Sequence, residues 1–172
     1  AVICVGESYE TMAASENACG FIWTTNGDGV FNNSFVLDAI YTPGPTDIAS
    51  GFVEICITAE ACAPCTEDIE DCVIITFQSQ PTANVGTDDG VLAGNTYVFE
   101  NAEAENYSSL LWETQGDGVF DDPTALNPSY TPGDGDIANY QVELCLNALP
   151  INPCQISDQD CMILQIGSMP VI

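Results

Sequence analysis

The sequence contains no lysine, no arginine and no histidine. Without a cationic side chain it has nothing to set against phosphates, so nucleic-acid binding is excluded as an activity. An anionic lipid surface would repel it for the same reason. The absence of histidine and lysine also removes the common bases and amine nucleophiles, so nucleophile–histidine arrangements have no residues to run on. No apolar run approaches the roughly 18 residues that a transmembrane helix needs, and direct membrane insertion is not expected. Ala1-Val2-Ile3-Cys4 shows no basic region followed by an apolar stretch, so no signal peptide is expected within the sequence.

What is present is acid. Asp and Glu number 26 in 172 residues, for a net charge of −26. Hydrophobic residues still make up 46%, which points to a packed core rather than a disordered acidic tail. The length admits one large domain or two small ones. The balance is that of a folded, acidic protein that is not an enzyme. Two carboxylates could in principle serve as the acid and base of a glycosidase, but nothing in the sequence singles out a pair.

The chain repeats itself. Trp23-Thr24-Thr25-Asn26-Gly27-Asp28-Gly29-Val30-Phe31 returns as Trp112-Glu113-Thr114-Gln115-Gly116-Asp117-Gly118-Val119-Phe120. Tyr41-Thr42-Pro43-Gly44 returns as Tyr130-Thr131-Pro132-Gly133, and Asp47-Ile48-Ala49 as Asp136-Ile137-Ala138. From residue 19 to 77 the offset is 89 without a gap, and 24 of these 59 positions are identical. Two copies of one domain are therefore expected, over 1–80 and 81–169. Residues 4–9 match 92–97 at an offset of 88. The second copy has a lead-in, Pro81-Thr82-Ala83-Asn84-Val85-Gly86, that the first lacks, so the first copy is expected to miss its first strand. Pro170-Val171-Ile172 stands where Pro81-Thr82-Ala83 stood, as the start of a further repeat. The expectation is a stretch of a longer tandem array.

The local pattern is that of strands. In Val53-Glu54-Ile55-Cys56-Ile57-Thr58 the apolar residues alternate, and Val142, Leu144 and Leu146 repeat that face. Val73, Ile75 and Phe77 form the inner face of the next strand, matched by Met162, Leu164 and Ile166. Phe21–Thr25 is a third strand, and Asn26-Gly27-Asp28-Gly29 turns the chain after it, its glycines expected at positive φ. Pro43-Gly44-Pro45 and Pro132-Gly133-Asp134-Gly135 mark further turns. Trp23 and Trp112 are the expected core anchors. The predicted fold class is all-β: two tandem immunoglobulin-like antiparallel β-sandwich domains.

The set Trp-x-Thr-x-Gly-Asp-Gly-x-Phe, Tyr-Thr-Pro-Gly, Asp-Ile and Val-Glu-Ile/Leu-Cys-Ile/Leu resembles the tandem repeats of giant cell-surface adhesins of gliding Bacteroidetes. The resemblance covers nearly all of both copies. It implies immunoglobulin-like or PKD-like sandwiches, exported across the outer membrane and used for adhesion and surface movement. Leu92 departs from the pattern, since such repeats often carry cysteine there.

Nine cysteines favour an oxidising, extracellular location. Cys56 and Cys72 face each other if their strands form a hairpin, and so do Cys145 and Cys161. Cross-strand disulfides are expected at both pairs. The remaining first-copy pairs are Cys4–Cys19 with Cys62–Cys65, or Cys4–Cys65 with Cys19–Cys62. Cys154 is then the unpaired or intermolecular cysteine. Cys62-Ala63-Pro64-Cys65 has the spacing of a zinc or redox motif, but the second copy has Ile151 for Cys62 and no βαβ pattern is near.

The acids read first as a solvated surface. A sharper reading is Ca2+ held by Asp117, Asp121 and Asp122 around one glycine-rich turn and by Asp134 and Asp136 around another, since hard cations take clustered oxygens on loops. No cofactor is required. The expected function is a structural repeat segment of a long secreted cell-surface adhesin. The short Gln78-Ser79-Gln80-Pro81 link would stiffen it into a semi-stiff rod that extends or presents adhesive sites, with gliding motility among its uses. Expected partners are neighbouring copies of the same repeat and extracellular polysaccharide or surfaces. The alternatives are a subunit of a self-assembling extracellular filament or sheath, joined through Cys154, and a calcium-dependent carbohydrate-binding module.

Overall fold

A computed structural model describes residues 1–167. The further repeat expected at 170–172 lies outside the described residues. The chain divides into two compact units, Ala1–Ser79 and Gln80–Ile172.

Unit 1 runs β1 (Val2–Cys4), β2 (Tyr9–Glu10), β3 (Ala18–Thr25), β4 (Val30–Phe31), β5 (Ile40–Thr42), α1 (Pro45–Ser50), β6 (Phe52–Ala61) and β7 (Ile69–Gln78). Its strands form a four-stranded sheet in the order β1-β7-β6-β3 and a three-stranded sheet in the order β2-β5-β4. The β6–β7 hairpin sets Cys56 opposite Cys72. That register puts Val53, Ile55 and Ile75 on one face, where all three are buried with Ile3, Trp23 and Tyr41. Trp23 meets Phe31 at 5.7 Å, and Phe31 meets Tyr41 at 4.9 Å, so aromatic rings close the space between the two sheets.

Unit 2 begins with β8 (Thr82–Asn84), which has no counterpart among the described residues of unit 1. It continues through β9 (Asp89–Leu92), β10 (Tyr97–Val98), β11 (Glu103–Glu105), β12 (Tyr107–Thr114), β13 (Val119–Phe120), β14 (Ser129–Thr131), α2 (Asp134–Asn139), β15 (Gln141–Pro150) and β16 (Asp158–Gly167). The sheet orders repeat as β12-β15-β16-β9 and β10-β14-β13, with β8 and β11 forming a separate pair. Cys145 lies opposite Cys161. The core keeps the Trp, Tyr and hairpin residues of unit 1 and adds Val85, Phe99, Ala102, Leu110, Leu146, Ala148, Met162 and Ile166.

The fold is an all-β pair of sandwiches, with two features that alternation did not reveal. First, each unit contains a parallel pair, β1 with β7 and β9 with β16. Second, the turns expected at Pro43–Pro45 and 132–135 lead into one-turn helices, α1 and α2. Six residues are too few to display a helical period, so the sequence pattern could not separate them from loops.

Candidate functional site

The acidic turns are built from the inside out. Asp47 and Asp136 sit at the third position of α1 and α2, and each is 2% exposed. Asp136 accepts hydrogen bonds from the Tyr130 hydroxyl at 2.6 Å and from the N–H groups of Asp117 (3.2 Å), Gly118 (3.1 Å) and Gly133 (3.1 Å). Asp47 repeats the set with Tyr41, Asp28, Gly29 and Gly44. The clasp is reciprocal. The Asp117 carboxylate accepts from the N–H groups of Gly135 (2.9 Å) and Asp136 (3.1 Å), and Asp28 accepts from Thr46 and Asp47. A turn thus caps the start of a distant helix, where unpaired N–H groups favour a negative charge.

The titration behaviour follows. N–H donation, from Thr46 first for Asp28 and from Gly135 first for Asp117, holds both carboxyls below the usual range. Burial, with the neighbouring carboxylate second, pushes Tyr41 and Tyr130 up to about 12.

These contacts also correct the expected role of the glycines. Gly27, Gly29, Gly116 and Gly118 are not among the glycines at positive φ, which are Gly6, Gly51, Gly86 and Gly94. A Cβ on Gly116 would run into the Asp136 carboxylate and Val142, and one on Gly118 would meet the Tyr130 ring. Close approach, not a left-handed backbone, demands glycine in these turns.

The structure does not gather the five proposed calcium ligands into a metal site. Asp136 is spent on four donors and Asp117 on two. Asp121 accepts from the N–H groups of Ser129 and Asp122, and Asp122 accepts from the N–H and hydroxyl of Thr124. Both sit below the usual carboxyl range, with Ser129 and the Thr124 hydroxyl as the leading causes. Asp134 is exposed at the start of α2. A donor set already engaged by N–H groups does not fit a hard cation. Among the described residues, the one cluster of metal-ligating groups is Cys56, Glu70 and Cys72, whose sulfurs are joined to each other. Sequence reading missed Tyr41, Tyr130, Asp28 and Asp47. The signal was there: tyrosine six residues before aspartate, in both copies.

The cysteines form Cys56–Cys72, Cys145–Cys161 and Cys19–Cys62. Cys154 is disulfide-bonded and buried, as is Cys4. Cys154 is therefore not the orphan expected from pairing within copies. The free cysteine is its counterpart, Cys65, which is exposed. The equivalence failed because repeat position fixes the local strand and not the partner. Cys62 and Cys65 do not join each other, although the Cys65 N–H closes a turn onto the Cys62 carbonyl at 2.8 Å.

Trp23 and Trp112 are 6% and 2% exposed, and their indole N–H groups donate to the carbonyls of Val36 and Ala125. Both are packing residues.

Unit 1 carries a groove of about 650 Å³ between 12–18 and the outer ends of β6 and β7, lined by Ala13, Ile57, Ala59, Ile69 and Asp71 among others. In unit 2, β8 runs antiparallel to β11 and packs on β15 and β16 at the corresponding place.

No protein-family profile matches the chain, and no curated protein is similar to it in sequence. Solved structures of similar fold include mouse cadherin-23 EC22-24, at 12% identity over 99% of this chain and 63% of that one, with a TM-score of 0.55. Protocadherin gamma C5 EC1-3 is 11% identical over 96% of this chain and 64% of that one, with a TM-score of 0.48. A protocadherin gammaB7 EC3-6 cis-dimer structure is 11% identical over 98% and 45%, with a TM-score of 0.49. The chain spans less than two thirds of the length of these solved chains. The likeness is one of fold: cadherin-like, immunoglobulin-like sandwich repeats.

Proposed function

We propose that the chain is a non-catalytic structural repeat segment of a secreted cell-surface adhesin, spanning distance and presenting adhesive sites outside the cell. The observation that carries this reading is the duplication itself. Two units with separate cores share one strand order, one disulfide register and one Tyr–Asp clasp. The duplicated acids and glycines serve shape. Disulfides in both units favour an oxidising compartment, and the cadherin-like fold is consistent with an adhesion-type role. Weak contacts repeated along such a segment would sum by avidity, with neighbouring repeats and extracellular polysaccharide or surfaces as partners. Surface gliding is the specific use that the repeat motifs favour.

The test is the size of the native protein from its producing cells, run under reducing and denaturing conditions. A species many times larger than 18.2 kDa supports a long tandem chain. A species of this size alone overturns it and leaves the second reading, a filament subunit.

A further inference from the structure

In unit 2 a cleft of about 410 Å³ opens between the loop after β8 and the loop after β10. It lies where β9 and β10, the outermost strands of their sheets, bound the sandwich. The floor is apolar and aromatic. Val85, Phe99 and Ala102 are buried, and Tyr97 is half-buried. The Tyr97 ring is held from two sides. Its hydroxyl donates to Asp89 at 3.1 Å, and the ring stands perpendicular to Phe99 with centroids 5.0 Å apart. Phe99 lies 4.1 Å from Trp112, so the floor is continuous with the core. The rim is polar: Thr87, Asp89, Glu100 and Asn101 line the cleft and are exposed. Burial first, then Asp89 and then Glu100, push the Tyr97 hydroxyl up to about 12, so both carboxylates are near the ring. The side chains of Thr87, Glu100 and Asn101 have no hydrogen-bond partner among the described residues, which leaves their donors and acceptors available. Unit 1 lacks this set. The Thr11 N–H donates to the Ala39 carbonyl as the Phe99 N–H donates to that of Pro128, so Thr11 takes the place of Phe99. Met12 and Ala13 then stand where Glu100 and Asn101 stand. Unit 1 keeps the strand order without these side chains, so the scaffold does not require them.

We propose that this cleft binds a neutral hexose unit of an extracellular polysaccharide. The match is one of surfaces. A pyranose has an apolar C–H face, which suits an aromatic floor, and a girdle of hydroxyls, which suits a rim of carboxylate, amide and hydroxyl groups. The volume falls within the roughly 300–1,000 Å³ of small-molecule sites. Charge narrows the class. Two carboxylates on the rim, in a chain of net charge −26 without a cationic side chain, repel uronic acids and sulfated sugars. Calcium is not needed as a bridge. Asp89 and Glu100 do not belong to the one cluster of metal-ligating groups among the described residues, and sugar hydroxyls can donate to them directly. A single site of this kind is weak, and contacts repeated along a polysaccharide sum by avidity. The inference rests on the adhesin reading for its biological use and gives that reading a ligand class. Native mass decides the array and glycan binding decides this, so either can fail alone.

The test uses the full 172-residue chain, isotope-labelled for NMR, in calcium-free buffer at moderate salt. The probes are soluble oligosaccharides of a β-glucan, a mannan and a galactan, with an oligouronate of equal length for comparison. At least one neutral series should shift the amide resonances of 85–89 and 97–102 saturably and leave 9–13, the unit 1 counterpart, in place. Glu100→Ala combined with Asn101→Ala alters two exposed side chains that hold no other part of the fold. It should weaken that binding about tenfold with an unchanged melting temperature. The absence of a saturable shift with all three neutral series at roughly 10 mM sugar overturns the proposal. So does equal binding of the oligouronate, and so does binding that the double variant leaves intact or that shifts only resonances outside 85–102, which would place the contact on another surface.

Discussion

At the scale of the residue, the most informative side chains are the two buried aspartates. A carboxylate taken out of water is tolerated only when it is fully hydrogen-bonded, and Asp47 and Asp136 each have four donors in a protein that offers no basic side chain. Asp136→Ala leaves those donors without a partner and should lower the stability of unit 2 by about 3 kcal/mol; Tyr130→Phe, which removes one charge-assisted bond, should cost about 2 kcal/mol. Urea denaturation followed by Trp112 fluorescence reads both, and a change under 0.5 kcal/mol, roughly the level of a neutral surface substitution, would refute the clasp. The same hydroxyls set an alkaline limit. Tyr41 and Tyr130, and Tyr97 bonded to Asp89, are pushed from 10.0 to about 12 by burial first and by the adjacent carboxylates second. A raised tyrosine value means stability that is whole below about 10 and lost as pH climbs from 10 towards 12. Thermal melts across that range should show the decline, and Tyr41→Phe should flatten it for unit 1. None of this is legible in the sequence. The letters show acids beside glycines, but the N–H groups that occupy those acids belong to no side chain.

At the scale of the element, the strands with a period of two were readable and the shortest ones were not. The long hairpin strands β6, β7, β15 and β16 alternate apolar and polar residues in sequence, and β15 buries every second residue over most of its length, so alternation located these strands and their cysteines fixed the register. Strands β1, β8 and β9 have only three or four residues, and the pairings of β1 and β9 join positions about 75 apart in sequence. Alternation cannot be established over such lengths. The helices differ in one instructive detail. α1 closes with Gly51 at φ 79°, whereas α2 closes with Tyr140 at φ 59°, in the left-handed region where a side chain is disfavoured. Tyr140 is 61% exposed, so nothing in its packing offsets that conformation. Tyr140→Gly should stabilise unit 2 by about 1 kcal/mol and Gly51→Tyr should destabilise unit 1 by a similar amount. Opposite shifts in the two melting transitions check this; a loss in both variants would show that the tyrosine ring is needed.

At the scale of the whole molecule, the chain carries 26 acids with no cationic side chain to relieve them. Their mutual repulsion opposes the compact state and is screened over about 30 Å at 10 mM salt but about 10 Å at 100 mM. The melting temperature should therefore rise between 10 and 500 mM NaCl. Calcium and magnesium at equal ionic strength should raise it alike, and a saturable response to calcium alone would restore the metal reading. The duplication was fully legible at this scale, because a constant offset of 89 needs no structural insight to detect. What the offset concealed was the different fates of Cys65 and Cys154. The parallel strands carry a mechanical consequence. In unit 1 strand β1 lies beside the last strand, β7, and runs the same way; in unit 2, β9 lies beside the last strand, β16, in the same manner. Tension on a unit's two ends pulls such neighbours past each other, so their bonds bear load together in shear rather than peeling open one at a time. Single-molecule stretching should accordingly meet a high first rupture force, one that falls when Ile3→Pro interrupts the β1 ladder.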